Sequence, residues 1–230
     1  LDANTGKMKW HFQTIHHGLW DWDIPAQPNL VTITVDGKRI DAVAQVTKRG
    51  DTFVFDRVTG KPVWPIVERP ADTTSDVPGE KVYPTQPFPT KPPPFSPQGV
   101  LLEDANNLTP ESKALAEAQI KERRFGPIFT PPSLAGTWQR PTASGGANWG
   151  GAAFDPESGY LYVRANNGTT LARVGKNDGT DPLVDVAYSS TFGRGAGDGA
   201  QSGLRGLPIV SPPYAVLVAI DLNQGEIMWR

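Results

Sequence analysis

At 230 residues and 24.8 kDa, with 38% hydrophobic and 20% charged residues and a formal net charge of −2, the chain has room for one large domain or two small ones, with enough apolar content for a core. The balanced charge excludes nucleic-acid binding by bulk positive charge, no apolar run is long enough to span a bilayer, and no charged-then-apolar N-terminal segment reads as a signal peptide. The 24 Gly and 23 Pro exclude a mainly helical fold, and the lack of Cys excludes disulfides, thiol catalysis and thiolate metal sites.

The chain opens on Asp2-Ala3-Asn4-Thr5-Gly6, with Trp10 four residues beyond the glycine. Asp with Asn or Thr sets a tight turn, Gly takes the positive-φ position, and a strand leaves with the Trp. This is the middle of a structural unit, and the last residues stop at the same point of a similar one. The chain therefore reads as a piece of a longer protein.

His16-His17-Gly18-Leu19-Trp20-Asp21-Trp22-Asp23 packs two histidines, two indoles and two carboxylates into eight residues. A carboxylate beside an indole is partly desolvated, which makes it a better base. Asp21 and Asp23 share a face of an extended strand, and two oxygen ligands on one face suit a hard cation such as Ca²⁺. A surface loop with an aromatic anchor is the plainer alternative.

Leu30 to Val35, the turn Asp36-Gly37-Lys38 and Arg39 to Val46 predict a β-hairpin. In Thr47-Lys48-Arg49-Gly50-Asp51, Lys48 stands at a strand end before a turn Gly and can aim a point charge into a site. Thr52 to Phe55 is the next strand, followed by Asp56 to Gly60 and Trp64. Eleven prolines between residues 62 and 97 predict an extended loop laid on the surface, not sheet. A helix is expected over 111–124, with Thr109 as N-cap, Pro110 at N1, Glu117 and Lys121 paired, and Arg123 and Arg124 at a solvated C-terminal end.

Gly145-Gly146-Ala147-Asn148-Trp149-Gly150-Gly151 predicts either close backbone approach to a ligand, with Asn148 donating and accepting, or a glycine-rich bend with a buried Trp. Asp155 to Gly159 repeats the turn, with Tyr160-Leu161-Tyr162-Val163 in place of the Trp segment. Gly193-Arg194-Gly195-Ala196-Gly197 lacks a strand-to-helix setting and is not read as a nucleotide loop. Ala215 to Ile220, then Asp221 to Gly225 and Trp229, complete a fourth copy of the turn. The spacings between successive Asp positions are 54, 99 and 66 residues. Repeated units with a Trp at a fixed offset, able to pack on the next unit, predict a β-propeller or solenoid whose blades are separated by long loops.

The stretch from Leu1 to Thr14, with His16 to Pro28, Thr85-Gln86-Pro87-Phe88 and Ile128 to Pro132, resembles the quinoprotein dehydrogenases, enzymes that use pyrroloquinoline quinone (PQQ). The glucose dehydrogenase branch is the nearest match. The resemblance implies an all-β fold: about half of an eight-bladed propeller with tryptophan docking motifs, long Pro/Gly-rich loops and one short helix. Residues 1–230 then form one partial propeller domain, with a loop and helix insert over about 65–135.

The same resemblance places Asp21 on the catalytic base, which takes the hydroxyl proton while hydride passes to PQQ. Lys48 falls on the residue that contacts the quinone oxygens, Lys in the glucose branch and Arg in the methanol branch. Asn148 falls on a PQQ-contacting asparagine, with Trp149 beside it, and Asn166 on a further contact. Asp23 falls where lanthanide-dependent relatives place an extra metal-ligating Asp, although the glucose branch carries Asp there too. His17 matches a histidine near the base.

The implied cofactors are PQQ and Ca²⁺, or Mg²⁺ or a lanthanide in its place. The implied partners are a sugar or alcohol substrate, ubiquinone or another electron acceptor, and the remainder of the propeller. The implied setting is periplasmic, either attached to the inner membrane through a region preceding residue 1, as in membrane-bound glucose dehydrogenases, or free, as in soluble relatives. Other metal and PQQ ligands are expected before residue 1 and a tryptophan platform beyond Arg230, which would leave the piece inactive alone. A PQQ alcohol dehydrogenase and a non-catalytic propeller scaffold of the outer-membrane assembly type are the alternatives; the scaffold would lack the Trp-Asp-x-Asp and Lys pair.

Overall fold

The computed structural model describes residues 1–179, 185–190, 204 and 206–230. The Gly193 to Gly197 stretch lies outside them. Two antiparallel sheets carry the fold. In the first, β1 (Asn29–Val35), β2 (Lys38–Val46) and β3 (Thr52–Asp56) follow one another, and Val63 N–H donates to Val54 O at 2.9 Å to lay the next segment along the edge. The β1–β2 turn puts Asp36 and Gly37 at φ 50° and 72°, the two left-handed positions of a tight hairpin turn.

Between the sheets lies the insert. A ribbon pairs β4 (Ile66–Pro70) with β5 (Thr85–Pro89), and β6 (Gly99–Val100) pairs with β7 (Gly126–Pro127). The expectation of loop without sheet over 62–97 is thus corrected. In a two-stranded ribbon each strand has a free edge, so Pro70, Pro87 and Pro89 need not donate inward. Helix α1 (Pro110–Lys121) begins as expected: Ser112 N–H donates to Thr109 Oγ1, and Pro110 is in the first turn. It ends sooner. Arg124 leaves the helix to bridge Thr137 in β8 (Thr137–Gln139) and pairs with Asp72 at 2.6 Å, so it is a structural tie and not a solvated terminus. Within the helix Lys113 pairs with Glu117 at 3.9 Å, in place of the expected Glu117–Lys121 pair.

In the second sheet β9 (Ala152–Asp155), β10 (Tyr160–Asn166), β14 (Ala215–Asp221) and β15 (Glu226–Trp229) stand side by side, β9 innermost. Between β10 and β14 the chain adds β11 (Thr170–Ala172), paired with β8, and β12 (Val174–Lys176), paired with β13 (Tyr188–Ser190). Alternation in β1 and β10 turns Val31, Ile33, Leu161, Val163 and Ala165 into one core between the two sheets, with Ala44, Val46, Val54, Val218 and Ile220. Asn29 Nδ2 donates to Ala152 O at 2.9 Å, joining the starts of β1 and β9. Thr34 N–H donates to Asn223 Oδ1 at 2.8 Å at the other end. The two sheets therefore point the same way.

All four Asp-x-x-x-Gly segments form one turn. Gly6, Gly60, Gly159 and Gly225 have φ between 67° and 75°, and each donates its N–H to the carbonyl of the Asp four residues earlier. The Asp side chain caps the turn. Thr5 hydroxyl holds Asp2, Thr59 N–H holds Asp56 and Ser158 hydroxyl holds Asp155 below the usual carboxylate range. The four copies do not mark four blades, however. Asp155 and Asp221 belong to one sheet, as its first and last hairpins, and the Asp2 turn has no strands of its own among the described residues. The described residues hold one three-stranded sheet, one four-stranded sheet and four two-stranded ribbons, open sheets that fit a partial propeller. The copy without Trp is the β9–β10 hairpin.

Two of the three repeat Trp side chains grip across units, while Trp229 packs on Tyr162 of its own sheet. Trp10 lies on Gly60, where a Cβ would sit 2.5 Å from the indole Cγ, and donates Nε1–H to Arg57 O at 3.1 Å. Trp64 lies on Gly225 in the same manner, with a Cβ there 2.9 Å from Cζ2. Gly60→Ala is expected to lower stability by about 1–3 kcal/mol, since it adds both overpacking and a left-handed β-carbon. Thermal unfolding checks it; an unchanged midpoint contradicts the packing.

Candidate functional site

The turns above occupy one end of both sheets. The candidate residues sit at the other, on the connections into β1, from β2 to β3 and into β9, and at the end of β10. Over residues 11–24 the chain forms no strand and is held by its indoles. Trp20 and Trp22 are buried and stacked, centroids 5.6 Å apart, with the Phe129 ring edge-on to both at 5.1 and 5.9 Å. Trp20 Nε1–H donates to Thr130 O at 2.9 Å and Trp22 Nε1–H to Thr142 O at 3.1 Å. With alternate residues anchored inward, Asp21 and Asp23 are left facing out. Asp21 has φ 58°, a left-handed conformation that Asp tolerates better than most residues. Desolvation by the flanking indoles is not what the structure shows: the Asp21 side chain is 56% exposed, because the rings that flank it in sequence turn the other way.

Lys48 comes to both carboxylates from the β2–β3 loop. Its side chain is 9% exposed, and its Nζ donates to Asp21 O at 2.9 Å and to Asp23 Oδ1, with Asp21 Oδ2 at 3.5 Å. Gly145 and Gly146 hold the Lys48 backbone. Gly146 N–H donates to Lys48 O at 2.7 Å, and a Cβ on Gly145 would lie 2.5 Å from Lys48 Cβ and 2.6 Å from its Cα. A Cβ on Gly146 would meet Ser96 Oγ at 2.4 Å. The close approach expected of these glycines is made to the protein itself.

The structure divides the candidates between two depressions. One, of about 460 Å³, is lined by Phe12, Thr14, Trp20, Asp21 and Asp23 among others. A smaller one, of about 260 Å³, is lined by Ser144, Gly145, Asn148, Arg164 and Asn166 among others. Asn148 is locally engaged: its Nδ2 donates to Ser144 O at 2.6 Å and its Oδ1 accepts from Trp149 N–H at 2.8 Å. Asn166 Oδ1 accepts from Gly168 N–H at 2.8 Å. Trp149 lines neither depression and is 81% exposed, so the buried indole expected as the plainer reading of that bend is absent.

Three features escaped the sequence. Arg49, next to Lys48, is fully buried and pairs with Asp51 at 2.8 Å. Burial pushes the Asp51 carboxyl up against the pull of Arg49, and lowers Arg49 against the pull of Asp51. The signal was a charged triplet around a turn Gly, read for its Lys alone. His16 and His17 meet Glu68 at 3.0 Å and Glu80 at 2.8 Å, tying the Asp21 segment to the insert. Arg164 joins Asn148 because β10, which also carries Asn166, places it beside the Asn148 loop. For a cation, Asp21 and Asp23 are a partial donor set: no group of three or more His, Asp or Glu that could hold a metal forms among the described residues.

The whole chain, residues 1–230, matches the family described as PQQ glucose/ethanol/alcohol dehydrogenase, beta-propeller domain. It is 32% identical to the glycerol dehydrogenase large subunit of Gluconobacter oxydans, over all of this chain and 34% of that one. It is 31% identical to quinoprotein glucose dehydrogenase A of Acinetobacter calcoaceticus, over all of this chain and 30% of that one. The chain thus spans about a third of the length of the curated relatives it matches. Among solved structures, the quinohemoprotein alcohol dehydrogenase of Comamonas testosteroni shares the fold, with a TM-score of 0.55 and 20% identity over all of this chain and 28% of that one.

Proposed function

We infer that this chain, which belongs to the PQQ glucose/ethanol/alcohol dehydrogenase β-propeller family, carries the base and the cation of a PQQ-dependent site that oxidises a sugar or polyol hydroxyl. The observation that carries the reading is the meeting of Asp21, Asp23 and Lys48 at one end of the sheets. The donor set fits PQQ: a nearly buried ammonium beside an exposed carboxylate, with two amides and Arg164 in the neighbouring depression. When bound, PQQ supplies an ortho-quinone that accepts the hydride of the alcohol carbon.

Asp21, exposed at the wall of the larger depression, takes the hydroxyl proton as that hydride leaves, so the alcohol becomes a carbonyl compound. Lys48 supplies fixed positive charge where oxygen becomes anionic. Its contact at 3.5 Å with Asp21 Oδ2 is its longest, and is the one a ligand oxygen replaces at least cost. Trp20 and Trp22 keep the base from swinging inward. Asn148 and Asn166, which line the smaller depression, extend the cofactor-binding surface. A hard cation such as Ca²⁺ takes roughly six to eight oxygens, so Asp21 and Asp23 supply a minority and the rest come from elsewhere in the full-length protein. A quinone acceptor such as ubiquinone would take the electrons from bound PQQ.

Lys48 and the names of the glycerol and glucose relatives support a polyol or sugar over a simple alcohol. The test is a substrate panel on the full-length protein, reconstituted with PQQ and Ca²⁺. Glucose, glycerol and other polyols are expected to be oxidised in preference to ethanol and methanol, and only with PQQ added. Preference for ethanol would move the substrate class to simple alcohols. Turnover of none of them would contradict the reading.

A further inference from the structure

We propose that Arg49 is a positioning residue that sets Asp21 against Lys48; the inference rests on the site reading above. One short loop aims two cations in opposite directions, Lys48 into the site and Arg49 into the wall behind it. Thr47 N–H donates to Asp51 O at 3.1 Å and Gly50 N–H to Thr47 O at 3.1 Å, so the loop has little freedom to trade one for the other.

From inside the wall the Arg49 guanidinium touches the segment that carries Asp21, β5, Asp51 and the Phe88 and Phe129 rings. Nη1 donates to Thr14 O at 2.9 Å, on the segment that carries Asp21, and to Pro87 O at 2.8 Å in β5. Nε faces Asp51 Oδ2 at 2.8 Å, and Thr47 hydroxyl holds the other Asp51 oxygen at 2.6 Å. The guanidinium carbon lies 4.9 Å from the centroids of both Phe88 and Phe129. Phe129 is the ring whose edge meets Trp20 and Trp22, the two residues bracketing Asp21. Asp21 is thus referenced to the Lys48 loop twice over, through Thr14 O and through Phe129. A planar fork with several donors and a stackable face can make these contacts together; an ammonium cannot.

The geometry separates this role from mere support. The reacting carboxylate lies on an irregular segment with no ladder of its own, and an error in its distance to Lys48 lowers the rate before it loosens the cofactor. The experiment compares Arg49→Lys and Arg49→Met with wild type in the full-length holoenzyme, with Asp21→Asn alongside. Arg49→Lys keeps the buried charge for Asp51 and so folds even where Arg49→Met does not.

In Arg49→Lys, kcat per bound PQQ is expected to fall about tenfold or more, while KM and the dissociation constant from titrating PQQ into the apoenzyme stay within about threefold. The deuterium isotope effect on kcat with C-deuterated glycerol or glucose, whichever is oxidised, is expected to rise as the chemical step becomes limiting. A kcat per bound PQQ equal to wild type, with loss confined to PQQ content or thermal midpoint, overturns the inference. If Asp21→Asn also retains full turnover, it is the site reading that fails; if Asp21→Asn is dead while Arg49→Lys is fully active, only the inference about Arg49 falls.

Discussion

Asp21→Asn in the full-length enzyme is expected to lower kcat by about a thousandfold, within the range that a positioned general base contributes, while PQQ affinity changes little. The substitution keeps the size of the side chain and the Lys48 contact to the Asp21 carbonyl at 2.9 Å, which belongs to the backbone. It removes the capacity to accept a proton, together with the carboxylate charge that Lys48 faces at 3.5 Å. Trp20 and Trp22 hold the segment from the buried side, so the amide stands where the carboxylate stood. Steady-state kinetics and PQQ titration of the same preparation check both halves. Activity near wild type would take the base role from Asp21; joint loss of turnover and PQQ would make it a binding residue.

Gly145→Ala is expected to damage stability and activity together. Gly145 has φ 80°, and its added methyl would lie 2.5 Å from Lys48 Cβ and 2.6 Å from Lys48 Cα. The atoms in the way are backbone and the root of the side chain, which cannot swing aside as a flexible tip does. Lys48 must move, and with it the ammonium that bridges Asp21 and Asp23. We expect about 1–3 kcal/mol of lost stability and about a tenfold or greater loss of kcat, since a displacement near 1 Å at a catalytic group can cost about a hundredfold. Gly60→Ala carries a similar steric penalty on Trp10 at the far end of the sheet. It should cost stability while leaving kcat of the folded enzyme intact. Equal kcat in Gly145→Ala and wild type would show that Lys48 need not be held where it is.

The local parts of the fold were legible because their chemistry is local. An Asp cap and a left-handed Gly describe one turn, and all four copies form it, three of them with a Trp four residues on. How the copies share sheets was not legible, because the inner hairpin at Asp155 and the outer one at Asp221 use the same turn, and strand order depends on pairing across some fifty residues. The β4–β5 ribbon was hidden by its prolines, which speak against strands in a full sheet but not in a two-stranded ribbon.

In the site, Asp21, Asp23 and Lys48 were named from sequence and the structure brings them together. Their environment was not readable: adjacency to two tryptophans in sequence suggested desolvation, whereas alternation put indoles and carboxylates on opposite faces. Arg49 was passed over because, among neighbouring charges, nothing in a sequence marks the one that folds inward. Its partners Thr14, Pro87 and Phe129 come from three distant segments.

The most direct test of the central claim is an experimental structure of the full-length protein with PQQ bound. We predict the cofactor at the end of the sheets opposite the Asp-x-x-x-Gly turns, with the Asp21 carboxylate and the Lys48 ammonium both within hydrogen-bonding reach of its quinone edge or of a substrate hydroxyl beside it. PQQ seated elsewhere, with Asp21 and Lys48 still bound only to each other and Asp23, would contradict the account.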